Sequence, residues 1–195
     1  MSDKTYSAIV IGASAGGVES MPTLLSALPA NFSMPIFIVQ HQSERASNDG
    51  FIEHFYNKHC ALAVKEAKHG EVIKTGCVYL SVPGYHLQIE RNRTLSLSID
   101  PPVNYAIPSI NVLFETAVDV YHSRLVGVIL TGSNDDGAAG LQAISQSGGL
   151  SLVQNPHDAL FSIMPEAAIK RTQVDHVFNL ADMAMFLKAL SGGEK

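Results

Sequence analysis

The chain is poor in the features that mark several large functional classes. It has no block of Lys or Arg: 13 basic residues against 18 acidic ones leave a formal net charge of −5. That balance argues against nucleic acid or an anionic membrane surface as the main partner. No apolar run approaches a bilayer span, and the first one, after Met1-Ser2-Asp3-Lys4, is a strand's length and is broken by Gly12. A secretory signal and a transmembrane helix are therefore both unexpected. Two cysteines, Cys60 and Cys77, stand alone with no C-x-x-C pair, and the histidines show no ligand spacing. This excludes a disulfide framework and a zinc site, and it suits a reducing cytoplasm. Cys77 opens an apolar strand and reads as a small buried hydrophobe. No metal and no cofactor are expected.

What is present fits a compact soluble fold, since 46% of the 195 residues are hydrophobic and only 16% charged. The length suggests one α/β domain, placed at residues 1–190, followed by a flexible C-terminal tail at 191–195. The chain is organised around A-I-V-I-G-A-S-A-G-G-V-E-S at residues 8–20. We read it as a buried strand over 8–11, a tight glycine turn, and a helix over 17–27. Ser14 sits at the bend, pointed at a helix N-terminus, a place suited to a phosphate or to a nucleophile beside an oxyanion site.

Known loop patterns fit this stretch only partly. Gly12, Ser14 and Gly17 give G-x-S-x-x-G where a dinucleotide fingerprint needs G-x-G-x-x-G, and no Lys-Ser or Lys-Thr pair follows Gly17. The serine-elbow pattern G-x-S-x-G is imperfect as well. Locally, a nucleophile turn and a plain glycine-rich turn both stand.

Further along, continuous apolar runs at 34–39, 125–130 and 150–153 read as strands buried on both sheet faces. Short strands are expected at 63–65, 77–80 and 174–178, and an antiparallel hairpin at 87–90 and 95–99. Helices are expected over 51–58, 109–122 (capped by Ser109), 138–147, from Met164-Pro165 onward, and over 180–190. The pattern predicts an α/β domain built on a mostly parallel sheet with one antiparallel hairpin.

Such a sheet brings its strand carboxyl ends to one edge, so Ser14, His41, and Asp135 or Asp136 can converge. Serine needs a base, histidine supplies one near neutral pH, and a carboxylate orients the imidazole. Each residue also has a plain structural reading: Ser14 a helix cap, His41 a loop residue, the aspartates a cap for the helix after Gly137. Taken jointly at three strand ends, the functional reading is the better one. Of the other histidines, His54 and His59 read as helix surface, His69 and His157 as loop, His122 as a helix end and His176 as a strand edge. His86, beside Gly84 and Tyr85, lies at a strand end and is a minor candidate for the border of the site.

Several stretches also resemble the catalytic domain of CheB-type chemotaxis protein-glutamate methylesterases, from Ile9 to about Leu187. They are I-G-A-S-A-G-G at 11–17, V-Q-H at 39–41, G-C-V-Y-L-S-V-P-G-Y-H at 76–86, P-P-V-N at 101–104, P-S-I-N-V-L-F at 108–114, G-V-I-L-T-G at 127–132, D-G-A-A-G at 136–140 and M-P-E-A-A-I at 164–169. Their order and spacing together are specific. The resemblance implies a doubly wound, mostly parallel sheet with helices on both faces and one antiparallel hairpin, and hydrolysis of γ-glutamyl methyl esters on the cytoplasmic helices of chemoreceptors, with deamidation of receptor glutamines as a second activity. It places the nucleophile on Ser14, the base on His41 and the carboxylate on Asp136, with Ala15, Gly132 and Ser133 supporting the oxyanion loop. No nucleic acid and no direct membrane insertion are expected, on the charge balance and the short apolar runs. The strand to Ser14 starts within a few residues of Met1, so no receiver domain is expected before it, and activity would be constitutive or set by a regulator acting in trans.

Departures from the family pattern are local. Ala15 replaces the usual threonine, Ser133 and Asn134 replace methionine and glycine in the aspartate loop, and Tyr105-Ala106-Ile107 carries none of the usual basic residues. A non-glycine at Asn134 would constrain the loop if φ were positive there. These changes motivate an alternative, a non-catalytic CheB-like binding module in a sensory signalling complex. A nucleotide-binding α/β module is a third reading.

Overall fold

The apolar runs become the four central strands β1 (Ala8–Ala13), β2 (Ile36–Gln40), β7 (Leu125–Ile129) and β8 (Leu150–Gln154), buried at every position. The computed structural model describes residues 5–42 and 50–190; the expected tail at 191–195 lies outside the described residues. With β3 (Ala63–Glu66), β4 (Cys77–Leu80) and β9 (His176–Phe178), these strands form a seven-stranded parallel sheet in the order β3-β4-β2-β1-β7-β8-β9. Strands bury both faces because helices cover both.

Side chains of β1 alternate between two cores, as the two-residue period of a strand requires. Ile9, Ile11 and Ala13 join Met21, Leu24 and Leu25 of α1 (Gly17–Ser26), Tyr56 of α2 (Phe51–Asn57) and Met183 and Leu187 of α6 (Leu180–Leu190). Ala8 and Val10 face the other way, against Ile110, Leu113 and Phe114 of α3 (Ile110–Tyr121), Leu141 and Ile144 of α4 (Ala138–Gln146), and Met164 and Ala168 of α5 (Ile163–Arg171). The doubly wound architecture implied by the family resemblance is the one observed.

The hairpin, β5 (His86–Ile89) and β6 (Leu95–Ser98), is a separate two-stranded sheet rather than an extension of the main one. Its Leu87, Ile89 and Leu95 pack into the α3-side core, and Ile89 N–H donates to Thr116 Oγ1 of α3 at 3.2 Å.

Two local expectations need correcting. Strand β1 runs two residues past its predicted end, so Gly12 lies in the strand and not in the turn. A Cβ there would sit 2.4 Å from Ile110 Cγ2, so glycine is needed for the close approach of α3. The turn residue is Gly16, at φ 79°, which is the N-cap of α1 and a conformation that glycine adopts without the Cβ penalty. The second correction concerns Ser109. It is the N-cap residue of α3, but its hydroxyl makes no cap hydrogen bond, being engaged elsewhere.

Candidate active site

The strand order sets the geometry. Ser14 follows β1 at the centre of the sheet, His41 follows β2 on one side, and the loop carrying Asp136 follows β7 on the other. Register pairs Ala13 with Gln40 and Gly12 with Ile129. Hydrogen bonds continue this lattice past the strands: His41 N–H donates to Ala13 O at 2.9 Å, and Ser14 N–H to Thr131 O at 3.0 Å. Ser14 is therefore held from both flanks at the sheet's carboxyl edge.

Over the tip of β1, His41 Nε2 meets Asp136 Oδ2 at 3.0 Å. The imidazole is largely shielded and the carboxylate fully buried. A buried carboxylate must be well satisfied, and Asp136 is. Its Oδ2 also accepts Ile110 N–H at 2.7 Å, and its Oδ1 accepts Ser109 Oγ–H at 2.9 Å and Asn111 N–H at 3.2 Å. Burial alone would raise its pKa, but the hydrogen bonds from His41, Ile110 and Ser109 outweigh burial and hold it below the usual carboxylate range. Asp135, by contrast, is exposed.

The capping roles open to Ser14 and the aspartates are not the ones the fold uses. Helix α1 is capped by Gly16 and not by Ser14, with no side-chain cap bond. Asp136 caps α3, through the N–H groups of Ile110 and Asn111, and not α4. The positive end of the α3 dipole adds to its stabilisation there. Helix α4 is capped in turn by Asn111, whose Oδ1 accepts from Gly137 N–H at 3.1 Å and Gly140 N–H at 2.8 Å.

Three further residues support the constellation: Gln40, which carried no site signature in the sequence, His86, considered only for the border of the site, and Asn134, noted only as a departure in the aspartate loop. Gln40 is buried at the end of β2, and its Nε2 donates to Ser14 O at 2.8 Å and to His41 O at 2.9 Å, tying the two loop starts together. His86 is buried, accepts Ser109 N–H on Nδ1 at 3.1 Å, and has its Nε2 3.2 Å from Pro101 O. Nδ1 is an acceptor here, so the ring proton is on Nε2 and donates to that carbonyl. Asn134 places Nδ2 3.3 Å from His41 Nδ1 and accepts Asp136 N–H on Oδ1 at 3.1 Å. Only the V-Q-H spelling brought Gln40 near the site in sequence terms, and nothing in the spelling told its direction.

The oxyanion-loop candidates differ in availability. Gly132 N–H donates to Phe161 O at 3.0 Å, and Gly132 O accepts Met164 N–H at 3.0 Å, so Gly132 acts as loop support. Among the described residues the N–H groups of Ala15 and Ser133 have no hydrogen-bond partner; Ala15 O accepts the Thr131 hydroxyl at 2.9 Å. Asn134 is not among the residues with positive φ, so the loop does not require glycine there. Tyr105 is fully exposed, at φ 61°. No group of three or more His, Cys, Asp or Glu among the described residues could hold a metal ion, and no described helix is long and apolar enough to cross a membrane.

The sequence and fold have known counterparts. The family model described as CheB methylesterase matches residues 9–187. A protein of Leptospira interrogans serogroup Icterohaemorrhagiae is 50% identical over 179 residues, covering 92% of this chain and 92% of that one. Protein-glutamate methylesterase/protein-glutamine glutaminase 1 of Geobacter metallireducens is 39% identical over 190 residues, 94% of this chain and 52% of its own length. The crystal structure of the Thermotoga maritima CheB methylesterase catalytic domain superposes with a TM-score of 0.89 at 28% identity, covering 95% of this chain and 99% of that one. The chain belongs to the CheB methylesterase family.

Proposed function

We propose that the chain is a serine hydrolase that removes methyl groups from glutamate γ-methyl esters of chemoreceptors and deamidates receptor glutamines, working through Ser14, His41 and Asp136. The observation that carries the reading is the 3.0 Å contact of His41 Nε2 with buried Asp136, at the ends of strands that flank Ser14. Relatives named protein-glutamate methylesterase/protein-glutamine glutaminase support the substrate.

Since Nε2 faces Asp136, the nitrogen left to act as base is Nδ1. Ser14 Oγ attacks the γ-carbonyl carbon while its proton passes to Nδ1, and the carbonyl electrons move to oxygen. The N–H groups of Ala15 and Ser133, without a partner among the described residues, are the donors available to that oxyanion. Collapse breaks the C–OCH3 bond, the Nδ1 proton leaves with methanol, and a Ser14 acyl-enzyme remains. Water, activated by the same nitrogen, releases glutamate. A glutamine substrate follows the same path with ammonia as the leaving group. Asp136 stabilises the imidazolium throughout without taking the proton.

Beside Ser14, the exposed side chains of Leu160 and Phe161 are held against the β7 loop. Phe161 N–H donates to Thr131 Oγ1 at 2.9 Å, and Leu160 packs over Gly16. An open apolar rim of this kind suits a protein substrate better than a small ester. The partners in this reading are the cytoplasmic helices of methylated chemoreceptors.

The test is methanol release from receptor fragments carrying glutamyl methyl esters, compared with Ser14→Ala. Release by the natural chain that vanishes in the variant is the expected result. Retained release in Ser14→Ala overturns the assignment of the nucleophile.

A further inference from the structure

We propose that Asn134 is a positioning residue that holds the base in its resting state: its carboxamide occupies Nδ1 of His41, and Ser14 gains that nitrogen only when the amide gives it up. This rests on the reading of Ser14 and His41 as nucleophile and base.

The orientation of the Asn134 amide follows from a backbone donor. Asp136 N–H can only donate, so the Asn134 atom 3.1 Å from it is Oδ1 and the one turned to His41 is Nδ2. An NH2 group donates, so Nδ1 accepts, and the ring proton sits on Nε2 opposite Asp136 Oδ2. A neutral imidazole nitrogen offers one in-plane lone pair. Activation of Ser14 Oγ–H needs that same lone pair. Among the described residues the Ser14 hydroxyl has no hydrogen-bond partner. Two donors therefore compete for one acceptor, and in the resting site the amide holds it.

The loop permits this arrangement because the residue is not at positive φ and its amide is doubly anchored, by Asp136 N–H on one atom and His41 on the other. Asp136 already fixes the ring tautomer, so the added effect of Asn134 falls on access to Nδ1. A neutral hydrogen bond must be exchanged before attack, which slows acylation by roughly two- to tenfold.

Asn134→Ser and Asn134→Asp in the full chain test this. Serine keeps an oxygen for Asp136 N–H but is too short to reach the imidazole. Aspartate keeps the same anchor and sets an oxygen where Nδ2 was, favouring a proton on Nδ1. The readouts are inactivation by an alkyl fluorophosphonate, in which an Oγ–P bond forms, the P–F bond breaks and the serine proton is taken up by His41, and the 15N resonance of His41 Nδ1.

Asn134→Ser is expected to be inactivated about two- to tenfold faster and Asn134→Asp more slowly than the natural chain. In a Ser14→Ala background, Asn134→Ser is expected to move the Nδ1 resonance toward that of an unbonded imidazole nitrogen. An unmoved resonance, or equal inactivation of the natural chain and Asn134→Ser, overturns the latch and leaves the nucleophile assignment standing. Absence of labelling in every form overturns the nucleophile assignment and the proposal with it, while the resonance still reports the contact.

Discussion

Asp136 and Asn111 cap each other's helices: the Asp136 carboxylate accepts Asn111 N–H at the start of α3, and Asn111 Oδ1 accepts Gly137 N–H and Gly140 N–H at the start of α4. The carboxylate that faces His41 is thereby part of the joint between two helices. Rigidity of the site and stability of the α3–α4 pair are coupled.

Removing Asn111 tests that coupling. Asn111→Ala leaves two N–H groups of α4 without their acceptor in a buried setting, and we expect a loss of about 1–3 kcal/mol in unfolding free energy. Denaturant unfolding measures it. Esterase activity should fall as well, since Asp136 loses its fixed neighbour.

The two aspartates of the loop should separate cleanly. Asp136→Asn is expected to lower kcat by about 10³- to 10⁴-fold, because the amide can no longer orient and stabilise the imidazolium. Asp135 is exposed, and Asp135→Asn should stay within a few-fold of the natural rate. Steady-state methanol release from both variants decides it.

Acid should find Asp136 as well. Its carboxyl is held below the ordinary value of 3.8, so between the folded and unfolded values the unfolded chain binds a proton that the folded chain does not. The stability it contributes is therefore present above pH 3.8 and is lost as the pH falls through the lower folded value. Thermal midpoints measured across that range should fall less steeply in Asp136→Asn than in the natural chain.

Gln40 offers a probe of positioning without charge. Gln40→Met keeps the length and removes the donor that joins Ser14 O to His41 O. We expect kcat to fall about tenfold or more with the fold retained, since misplacement of reacting groups by a fraction of an ångström is costly. A circular dichroism spectrum beside the kinetics separates this from unfolding.

Backbone conformation gives the last prediction. Gly137 sits at φ 93°, and a Cβ there would lie 2.6 Å from the side chains of both Ile110 and Ile129. Gly137→Ala combines a disfavoured φ with overpacking and should cost about 2–4 kcal/mol. Denaturant titration checks it.

The sequence by itself determined the layered architecture, because continuous apolar runs such as those of β1 and β7 are stable only when buried on both faces. It also placed Ser14, His41 and the aspartate pair just beyond strand ends, since the breaks after Ile11, Val39 and Leu130 are local features of the spelling, although β1 and β2 run on to Ala13 and Gln40. Tertiary structure decided which of Asp135 and Asp136 meets His41, for two adjacent aspartates share one composition and differ only in which side chain turns toward the N-terminus of α3. It decided as well that Ser109 serves Asp136 instead of its own helix, that His86 lies behind Ser109, and that Asn134 meets the imidazole. Those contacts join residues 23 to 93 positions apart. No periodicity or short motif encodes such distances, because they are set by how strands β1, β2 and β7 lie side by side and not by the order in which the chain visits them.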